Sequence, residues 1–269
     1  MSKTLLVITT YNESEYTKLC FDSLKNIEDD VDVLVIDDCS TDDTVNLCKE
    51  YGHEVITKER GLGLTDSWNR GYYEFKQRWI YDESGQDDNY DYLIIANNDI
   101  LIPRGSITEL KKTFYKWPYS MVVPTSTTRG IGHNVYQDIN AYYDLPNNLD
   151  VNDPNSYQST QDAISDIKKD LTEKNNLYLL DPVRMKMFNG FFFMMNRNII
   201  KYQFSDKELF EPKYIMTKNE DEFNWGNLIP NDDFPAVCKT SFVYHYKGVT
   251  TKGDLRNNDK WKEARFGDG

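Results

Sequence analysis

Short apolar runs and segments of helical periodicity alternate along the first hundred residues. Runs of four to eight apolar residues are typical of strands buried on both faces, whereas apolar residues three or four positions apart indicate helices. The predicted order is strand 4–9, helix 13–26, strand 31–36, helix 42–51, strand 54–57, helix 63–79 and strand 91–96. This order predicts a parallel sheet with right-handed crossovers.

The second half of the chain is less regular. The pattern predicts helix 106–117, strand 121–123, helix 160–173, strand 189–195, helix 220–228 and strand 236–244. Gly, Asn, Asp and Pro dominate residues 125–160, a composition and length typical of a functional lid or a disordered segment. The polar residues 247–269 are expected to form a C-terminal flap or tail. We therefore expect one compact α/β domain with a first half at 1–104 and a second half at 105–246.

Composition and charge limit the classes of partner. A net charge of −13 and a pI of about 4.7 argue against a nucleic-acid or anionic-membrane surface. The four cysteines lack metal-ligand spacing, so we expect free thiols in a reducing compartment. From the start of the sequence we expect no secretory leader, and no apolar run approaches the ~20 residues of a membrane span. We therefore expect a soluble, cytoplasmic protein, with peripheral membrane association left open.

The clearest chemical signal is the stretch YLIIANNDI at 92–100, where an apolar run ends in three polar residues. Ligands of open α/β sheets bind outside the carboxyl ends of such strands. Asp99, flanked by carboxamides, suits an oxygen-liganded divalent cation that holds a diphosphate. The alternative is a turn that caps the next helix.

Three other strand ends carry polar residues. Thr9 to Glu13 offers short polar side chains and a tyrosine ring for a base and its ribose, although Thr10 and Asn12 would equally serve as helix N-caps. The adjacent carboxylates of Asp37 and Asp38 repel each other, so their placement after a buried strand costs free energy. Both could accept hydrogen bonds from the hydroxyls of a ribose or the N–H groups of a base, which favours a binding role. The segment 60–71 combines glycines, a helix start and Arg60, which would allow close approach of an anion. A helix cap with a buried Asn69 is the alternative.

The ordered motifs TTYNE, VIDDCSTDDT, GLGLTDSWNRG and IIANND within residues 4–104 resemble the nucleotide-binding half of family-2 glycosyltransferases of the GT-A fold. The resemblance implies a mostly parallel central sheet flanked by helices and a nucleoside diphosphate sugar donor. The nucleotide-binding residues that it implies are Thr9, Tyr11, Asn12, Glu13, Asp37, Asp38, Arg60, Gly63, Ser67, Asn69, Asn97 and Asn98.

The second half resembles the same family in three places. FNGFFFM at 188–194 is similar to the turn and strand that meet the acceptor, which implies acceptor or sugar contacts for Asn189, Gly190 and Phe191. KNEDEF at 218–223 is similar to the segment that supplies the general base, which implies Asp221 as the base, with Glu220 beside it. VYHYKGVT at 243–250 is similar to the late His-containing strand end. It implies His245 and Asp99 as ligands of Mn²⁺ or Mg²⁺, while Lys247 and Lys252, or Arg256, would contact the diphosphate.

One departure from the family pattern bears on function. The usual acidic-any-acidic metal motif is here Asn97-Asn98-Asp99, so the first carboxylate is missing. We expect a metal-dependent, inverting transfer of a hexose or deoxyhexose to a hydroxyl of a glycan or glycolipid acceptor. A catalytically degenerate nucleotide- or glycan-binding protein is one alternative. A sugar-phosphate nucleotidyltransferase is the other, although TTYN lacks that class's glycine-rich, basic loop.

Overall fold

A central sheet with helices on both faces organises the protein in a computed structural model that describes residues 2–80, 90–117, 119–127, 135–185, 188–203, 208–210 and 235–247. The strands are β1 (Thr4–Thr10), β2 (Val31–Asp37), β3 (Glu54–Thr57), β4 (Tyr92–Asn97), β5 (Ile100–Leu101), β6 (Met121–Thr125), β7 (Val183–Arg184), β8 (Phe192–Asn196), β9 (Ala236–Phe242) and β10 (Tyr244–His245). The helices are α1 (Ser14–Leu24), α2 (Thr44–Glu50), α3 (Leu64–Ile80), α4 (Ser106–Lys116), α5 (Tyr157–Glu173) and α6 (Arg197–Gln203).

In the described chain, eight of the strands form the central sheet in the order β3-β2-β1-β4-β8-β6-β9-β7, and β5 pairs with β10 in a second sheet. The pairings of β3, β2, β1 and β4 are parallel, and those of β8 with β4 and β6 are antiparallel. Strand β9 runs parallel to β6 and β7 runs antiparallel to β9, so only β8 and β7 oppose the common direction in this sheet. The predicted mostly parallel α/β sheet is confirmed.

The apolar runs are continuous because the sheet is covered on both faces. Leu5 and Val7 face α3, whereas Leu6 and Ile8 face α1 and α4, as the alternation of side chains along a strand requires. Helix α3 lies close to β1 at Gly71, where an added Cβ would stand 2.4 Å from Val7 Cγ1. This contact leaves no room for a side chain at Gly71, and the helix start is thereby held near the carboxyl ends of the strands.

The second half differs in detail from the predicted elements. Helix α5 begins three residues earlier than expected, after a 3-10 turn at Pro154–Ser156, and β8 begins three residues later. The single strand predicted at 236–244 is divided at Val243, whose N–H donates to Thr125 O, and its end joins a second sheet as β10. The predicted helix 220–228 lies outside the described residues.

Residues 135–156 form short turns packed on the domain, where the pattern predicted a lid or a disordered segment. Three 3-10 turns occur there, and Ile139, Tyr143 and Val151 are buried against Phe242 and Tyr244. The buried residues are too widely spaced to produce a helix or strand period. That spacing explains why the packing was not visible in the sequence.

Candidate functional site

The carboxyl ends of β1, β2 and β4 lie side by side, since the register aligns Thr10 with Asp37 and Thr9 with Asn97. Asp37 is fully buried; its Oδ1 accepts a hydrogen bond from Thr10 Oγ1 at 3.3 Å and its Oδ2 accepts one from Ser40 N at 3.2 Å. In this structure Asp37 therefore holds the turn after β2 to the end of β1.

The turn after β1 is tied to the turn after β2. Asn12 and Glu13 adopt left-handed φ values of 54° and 63°, which are costly for residues other than glycine. Asn12 Oδ1 accepts from Thr41 N at 2.7 Å, and Asn12 N donates to Ser40 Oγ at 2.7 Å. These bonds stabilise the unusual backbone and leave Tyr11 half-buried at the strand end.

Asp38 joins β2 to the glycine turn that precedes α3. Its Oδ1 accepts from Leu62 N and its Oδ2 from Gly63 N, each at 2.9 Å. Lys58 Nζ lies 2.6 Å from Asp38 Oδ1 and 2.8 Å from Asp66 Oδ2, and the side chains of Lys58 and Asp38 are only 8% and 13% exposed. We call Lys58, Asp38 and Asp66 the Lys58 clamp; it determines the course of residues 58–63.

The remaining residues of the β3–α3 region also make contacts within the protein. Gly63 has φ of 88°, and its carbonyl accepts from Ser67 Oγ at 3.1 Å. Asn69 exchanges two hydrogen bonds with the backbone of Phe210, at 2.8 and 2.9 Å, while Arg60 is exposed. The predicted alternative is a helix cap with a buried Asn69. In the structure Asn69 is half-buried and lies inside α3, and these bonds give it a structural contact with Phe210 instead of a cap.

In the polar turn after β4, one side chain is hydrogen-bonded and two have a buried oxygen without a hydrogen-bond partner. Asn98 Nδ2 donates to Thr17 Oγ1 at 2.9 Å, which ties this turn to α1. Asn97 Oδ1 and Asp99 Oδ1 are buried and have no hydrogen-bond partner, and neither does His245 Nδ1. Buried polar atoms without partners are rare and require an explanation.

His245 reaches this turn through the two-stranded sheet of β5 and β10, which pairs it with Ile100. Its Nε2 lies 3.3 Å from Asp99 Oδ1, without hydrogen-bonding geometry, and both side chains are less than 10% exposed. The Phe191 ring stacks on the imidazole at 4.5 Å between ring centres and 16° between planes. Phe191 O also accepts from Asn97 N at 2.9 Å, so Phe191 braces both sides of the site.

A divalent cation fits this donor set. Carboxylate and amide oxygens suit Mn²⁺ and Mg²⁺, and a neutral imidazole nitrogen is a common metal ligand. Within the described residues no three His, Cys, Asp or Glu side chains cluster as a complete metal site. Asp99 and His245 would thus supply two protein ligands, and a diphosphate and water would complete the coordination.

The predicted acceptor residues lie beside this turn. Asn189 N donates to Gln137 Oε1 at 2.6 Å, Gly190 is buried, and the Phe191 ring is 2% exposed against His245. Lys247 follows β10 with a left-handed φ of 56°. Asp221, Glu220, Lys252 and Arg256 lie outside the described residues.

Sequence reasoning missed Lys58 and Gln137. Lys58 directly follows β3, and the paired acids that follow the neighbouring β2 were the signal that could have identified it as their partner. Gln137 had no such signal, because it lies in the irregular stretch. It is fully buried and accepts from Asn189 N.

The thiol in the turn after β2 is held in its neutral form. Burial, and then the negative charges of Asp38 and Asp37, raise the pKa of Cys39 above its ordinary value. All four cysteines are free thiols in the structure, as expected. Cys39 therefore adds no charge beside the two aspartates at neutral pH.

The sequence matches the model of glycosyl transferase family 2 over residues 5–202. This match covers well over half of the chain, and the protein belongs to that family. A search of the curated proteins found no match. Among the functions predicted from the sequence, membership of this family supports the function of a glycosyltransferase.

Solved structures support the GT-A fold. S. aureus TarS 1–349 matches with a TM-score of 0.54 and 12% identity, over 95% of this chain and 64% of that one. GalNAc-T7 with UDP, GalNAc and Mn²⁺ matches with a TM-score of 0.58 and 15% identity, over 91% of this chain and 44% of that one. The mannosyltransferase PcManGT from Pyrobaculum calidifontis, in complex with GDP-Man and Mn²⁺, matches with a TM-score of 0.55 and 12% identity. The match covers 98% of this chain and 60% of that one.

The chain is shorter than these relatives and spans between 44% and 64% of their length. At such low identities the likeness shows the fold. In the described part of the chain, no helix combines the length and apolar character needed to cross a membrane.

Proposed function

We propose that this protein is a metal-dependent, inverting glycosyltransferase that transfers a hexosyl or deoxyhexosyl group from a nucleoside diphosphate sugar to a glycan or glycolipid hydroxyl. The observation that carries the proposal is the set of unsatisfied buried atoms at the end of β4, namely Asn97 Oδ1, Asp99 Oδ1 and His245 Nδ1. Asn97 and Asp99 lie at the carboxyl end of β4, where α/β folds bind nucleotides, and His245 on β10 lies against Asp99.

The donor would bind across the turns that follow β1, β2 and β4. One wall of the nucleoside site would consist of the residues after β1, namely Thr9, Tyr11, Asn12 and Glu13. The opposite wall would consist of Asp37 and Asp38 together with the predicted residues between β3 and α3, namely Arg60, Gly63, Ser67 and Asn69. The complexes of TarS with UDP-GlcNAc and of PcManGT with GDP-Man support a nucleoside diphosphate sugar as the donor class.

Asp99 and His245 would hold Mn²⁺ or Mg²⁺, with Asn97 turned toward it. When bound, the cation would neutralise the charge that develops on the departing diphosphate. Lys247 lies two residues after the end of β10, and with Lys252 or Arg256 it would add positive charge near the same phosphates. Mn²⁺ in the complexes of GalNAc-T7 and PcManGT supports a cation of this kind.

Asp221 would take the proton of the acceptor hydroxyl, with Glu220 beside it. The acceptor oxygen would then form its bond to the anomeric carbon on the face opposite the diphosphate, whose bond breaks as the new bond forms. The acceptor residues in this proposal are Asn189, Gly190 and Phe191. The first half, 1–104, would bind the donor, and 105–246 would bind the acceptor.

The test is a thermal-shift panel of UDP, GDP, dTDP, ADP and CMP, each with Mn²⁺ and with EDTA. A ligand at 100 times its Kd stabilises the folded state by ~2.7 kcal/mol, which a melting curve detects. We expect stabilisation by one diphosphate only with Mn²⁺, its loss in Asp99→Ala, and its retention in the control Asp144→Ala, which removes an exposed carboxylate elsewhere.

Two results would contradict the proposal. If a nucleotide raises the melting temperature equally in EDTA and in Mn²⁺, Asp99 is not a metal ligand. If no nucleotide raises the melting temperature, the proposed donor site is wrong. Binding without turnover of the matching nucleotide sugar would instead favour the degenerate binding protein, the alternative that the missing carboxylate at Asn97 supports.

A further inference from the structure

A groove of about 710 Å³ lies along the outer side of α3, between this helix and the β3 edge of the sheet. Asp66, Arg70 and Tyr73 line it at positions that share one helical face, and Lys76 continues the same side. Asp66 and Lys76 are ten residues apart, so the helical wall is about 15 Å long. A groove of this length can hold an extended ligand.

The lining of the groove carries charges of both signs. Lys58, Arg60, Arg70 and Lys76 bring positive charge to the lining, and a second set of residues brings negative charge. The negative set is Glu59, Asp66 and Glu208. An anionic ligand would meet the carboxylates, and a cationic ligand would meet the lysines and arginines. Lys58 and Asp66 already pair with each other in the Lys58 clamp. A neutral ligand rich in hydroxyl groups would donate to Glu59 or Glu208 and accept from Arg60 or Arg70.

Tyr73 supplies an apolar surface within this polar groove. Its side chain is 47% exposed, and the Arg70 guanidinium carbon lies 5.6 Å from the centre of its ring. Exposed tyrosine combines an apolar ring with a polar hydroxyl, which suits ligands that have both kinds of surface. A pyranose ring, with its C–H face and its hydroxyl rim, has that character.

The groove begins at the loop that the Lys58 clamp holds. Arg60 and Leu62 line the groove, while Leu62 N donates to Asp38 at the strand ends. At the other wall, Asn69 fixes Phe210 by two hydrogen bonds and lies 3.4 Å from Glu208. One end of the groove is therefore next to the proposed donor site, and the other leads away from it.

We propose that this groove is a subsite for uncharged oligosaccharide, and that it binds the part of the acceptor glycan remote from the hydroxyl that is glycosylated. The reacting end of the acceptor would still bind to residues of 105–246, and its remote part would extend onto the 1–104 half. This inference rests on the proposed function for the identity of the glycan as acceptor. The affinity for oligosaccharide itself depends on the groove alone.

The experiment measures oligosaccharide binding by calorimetry and saturation-transfer NMR, with maltohexaose, N-acetylchitohexaose and mannohexaose as probes. We expect at least one probe to bind, and Tyr73→Ala to weaken that binding at least tenfold. The control Tyr115→Ala removes a tyrosine on α4 that is 76% exposed and is not part of this lining, and the variant should bind as the unmodified chain does. The stabilisation by nucleotide and Mn²⁺ should be the same in all three proteins.

Three outcomes would overturn the subsite: no probe binds, Tyr73→Ala binds as well as the control, or Tyr73→Ala loses nucleotide stabilisation. The third would assign the groove to the donor site. If oligosaccharide binding requires Tyr73 while no nucleotide stabilises any of the three proteins, the carbohydrate site stands and the proposed transferase fails. The two readouts therefore separate the two proposals.

Discussion

His245 Nε2 lies 3.3 Å from Asp99 Oδ1, and the pairing of His245 with Ile100 across β10 and β5 places it there. The second contact between these segments is the hydrogen bond from Tyr246 N to Asp99 O at 3.0 Å. The late strand end is therefore anchored to the backbone of the proposed metal ligand itself. A movement of the turn that carries Asp99 on nucleotide binding would therefore also displace the strand end that carries His245.

Asn97→Asp is expected to increase affinity for Mn²⁺. Asn97 Oδ1 is already buried and without a hydrogen-bond partner, two residues before Asp99, so a carboxylate there would add charge without a change of shape. We expect about tenfold tighter Mn²⁺ binding, because ligand charge tunes cation affinity. Calorimetry with Mn²⁺, with and without UDP, measures it.

The control for this substitution is Asn147→Asp, which adds the same charge at an exposed position. An equal gain in both variants would indicate a general charge effect. Unchanged affinity in Asn97→Asp would mean that this side chain does not face the cation.

Asp221→Asn is expected to lower kcat by ~10²–10⁴-fold, the usual contribution of a general base, and to leave nucleotide affinity nearly unchanged. Steady-state kinetics and nucleotide titration measure the two effects separately. Glu220→Gln is made in parallel, and the larger loss of kcat identifies the base. Equal losses of kcat and nucleotide affinity in Asp221→Asn would assign this residue to binding.

Lys58→Met is expected to destabilise the fold by about 3 kcal/mol, because it leaves a nearly buried carboxylate at Asp38 without its cation. Urea unfolding measures the change as a lower midpoint with an unchanged slope. The exposed Lys49→Met serves as the control and should change stability little.

Asp38→Asn, added to Lys58→Met, tests the same mechanism. Removal of the unpaired charge should restore part of the lost stability. If the double variant is less stable by the sum of the two single effects, the clamp contributes no coupling energy and its assignment is wrong.

Much of the fold was visible in the sequence because its signals are local. The continuous apolar runs of β1, β2 and β4 reflect strands covered on both faces, and the residues that follow them do lie at one edge of the sheet. The family motifs also mark these turns, so residues 4–104 were the part of the chain most open to prediction.

Other contacts were hidden because they join segments far apart in the chain. No periodicity indicates that Asn69 binds the backbone of Phe210, or that Gln137 accepts a bond from Asn189. The structure places many predicted polar residues in contacts within the protein, Asp37 and Asn98 among them. A polar residue at a strand end can shape a ligand site by holding its turns, and the sequence does not distinguish that role from direct contact.

Glu109→Gln is expected to make stability less dependent on pH below neutrality. Burial alone raises the pKa of Glu109, but hydrogen bonds from Lys112, Lys168 and Thr240 outweigh it, so the pKa lies below its ordinary value. Such a carboxylate contributes stability above its unfolded pKa of about 4.3, and that contribution is lost as the pH falls through the folded pKa. We expect the variant to lose about 2 kcal/mol at pH 7.

Urea unfolding between pH 3 and pH 7 measures this difference, which should shrink as the pH falls below about 4.3. Glu173→Gln, an exposed change on α5, is the control and should show no such trend. A difference that stays constant across the range would show that the charge of Glu109 does not stabilise the contact between α4, α5 and β9.

Phe191→Leu is expected to separate the packing role of this ring from its contact with His245. The substitution keeps an apolar side chain at a position that is 2% exposed, so the free energy of unfolding should fall by less than about 1.5 kcal/mol. The flat ring that stacks on the imidazole at 4.5 Å is lost, however, and His245 gains freedom to turn away from Asp99. We therefore expect weaker Mn²⁺-dependent nucleotide binding at nearly normal stability, measured by calorimetry beside urea unfolding. Phe191→Tyr, which retains the ring, should preserve more of the binding than Phe191→Leu; the reverse order would refute a positioning role for the stacked ring.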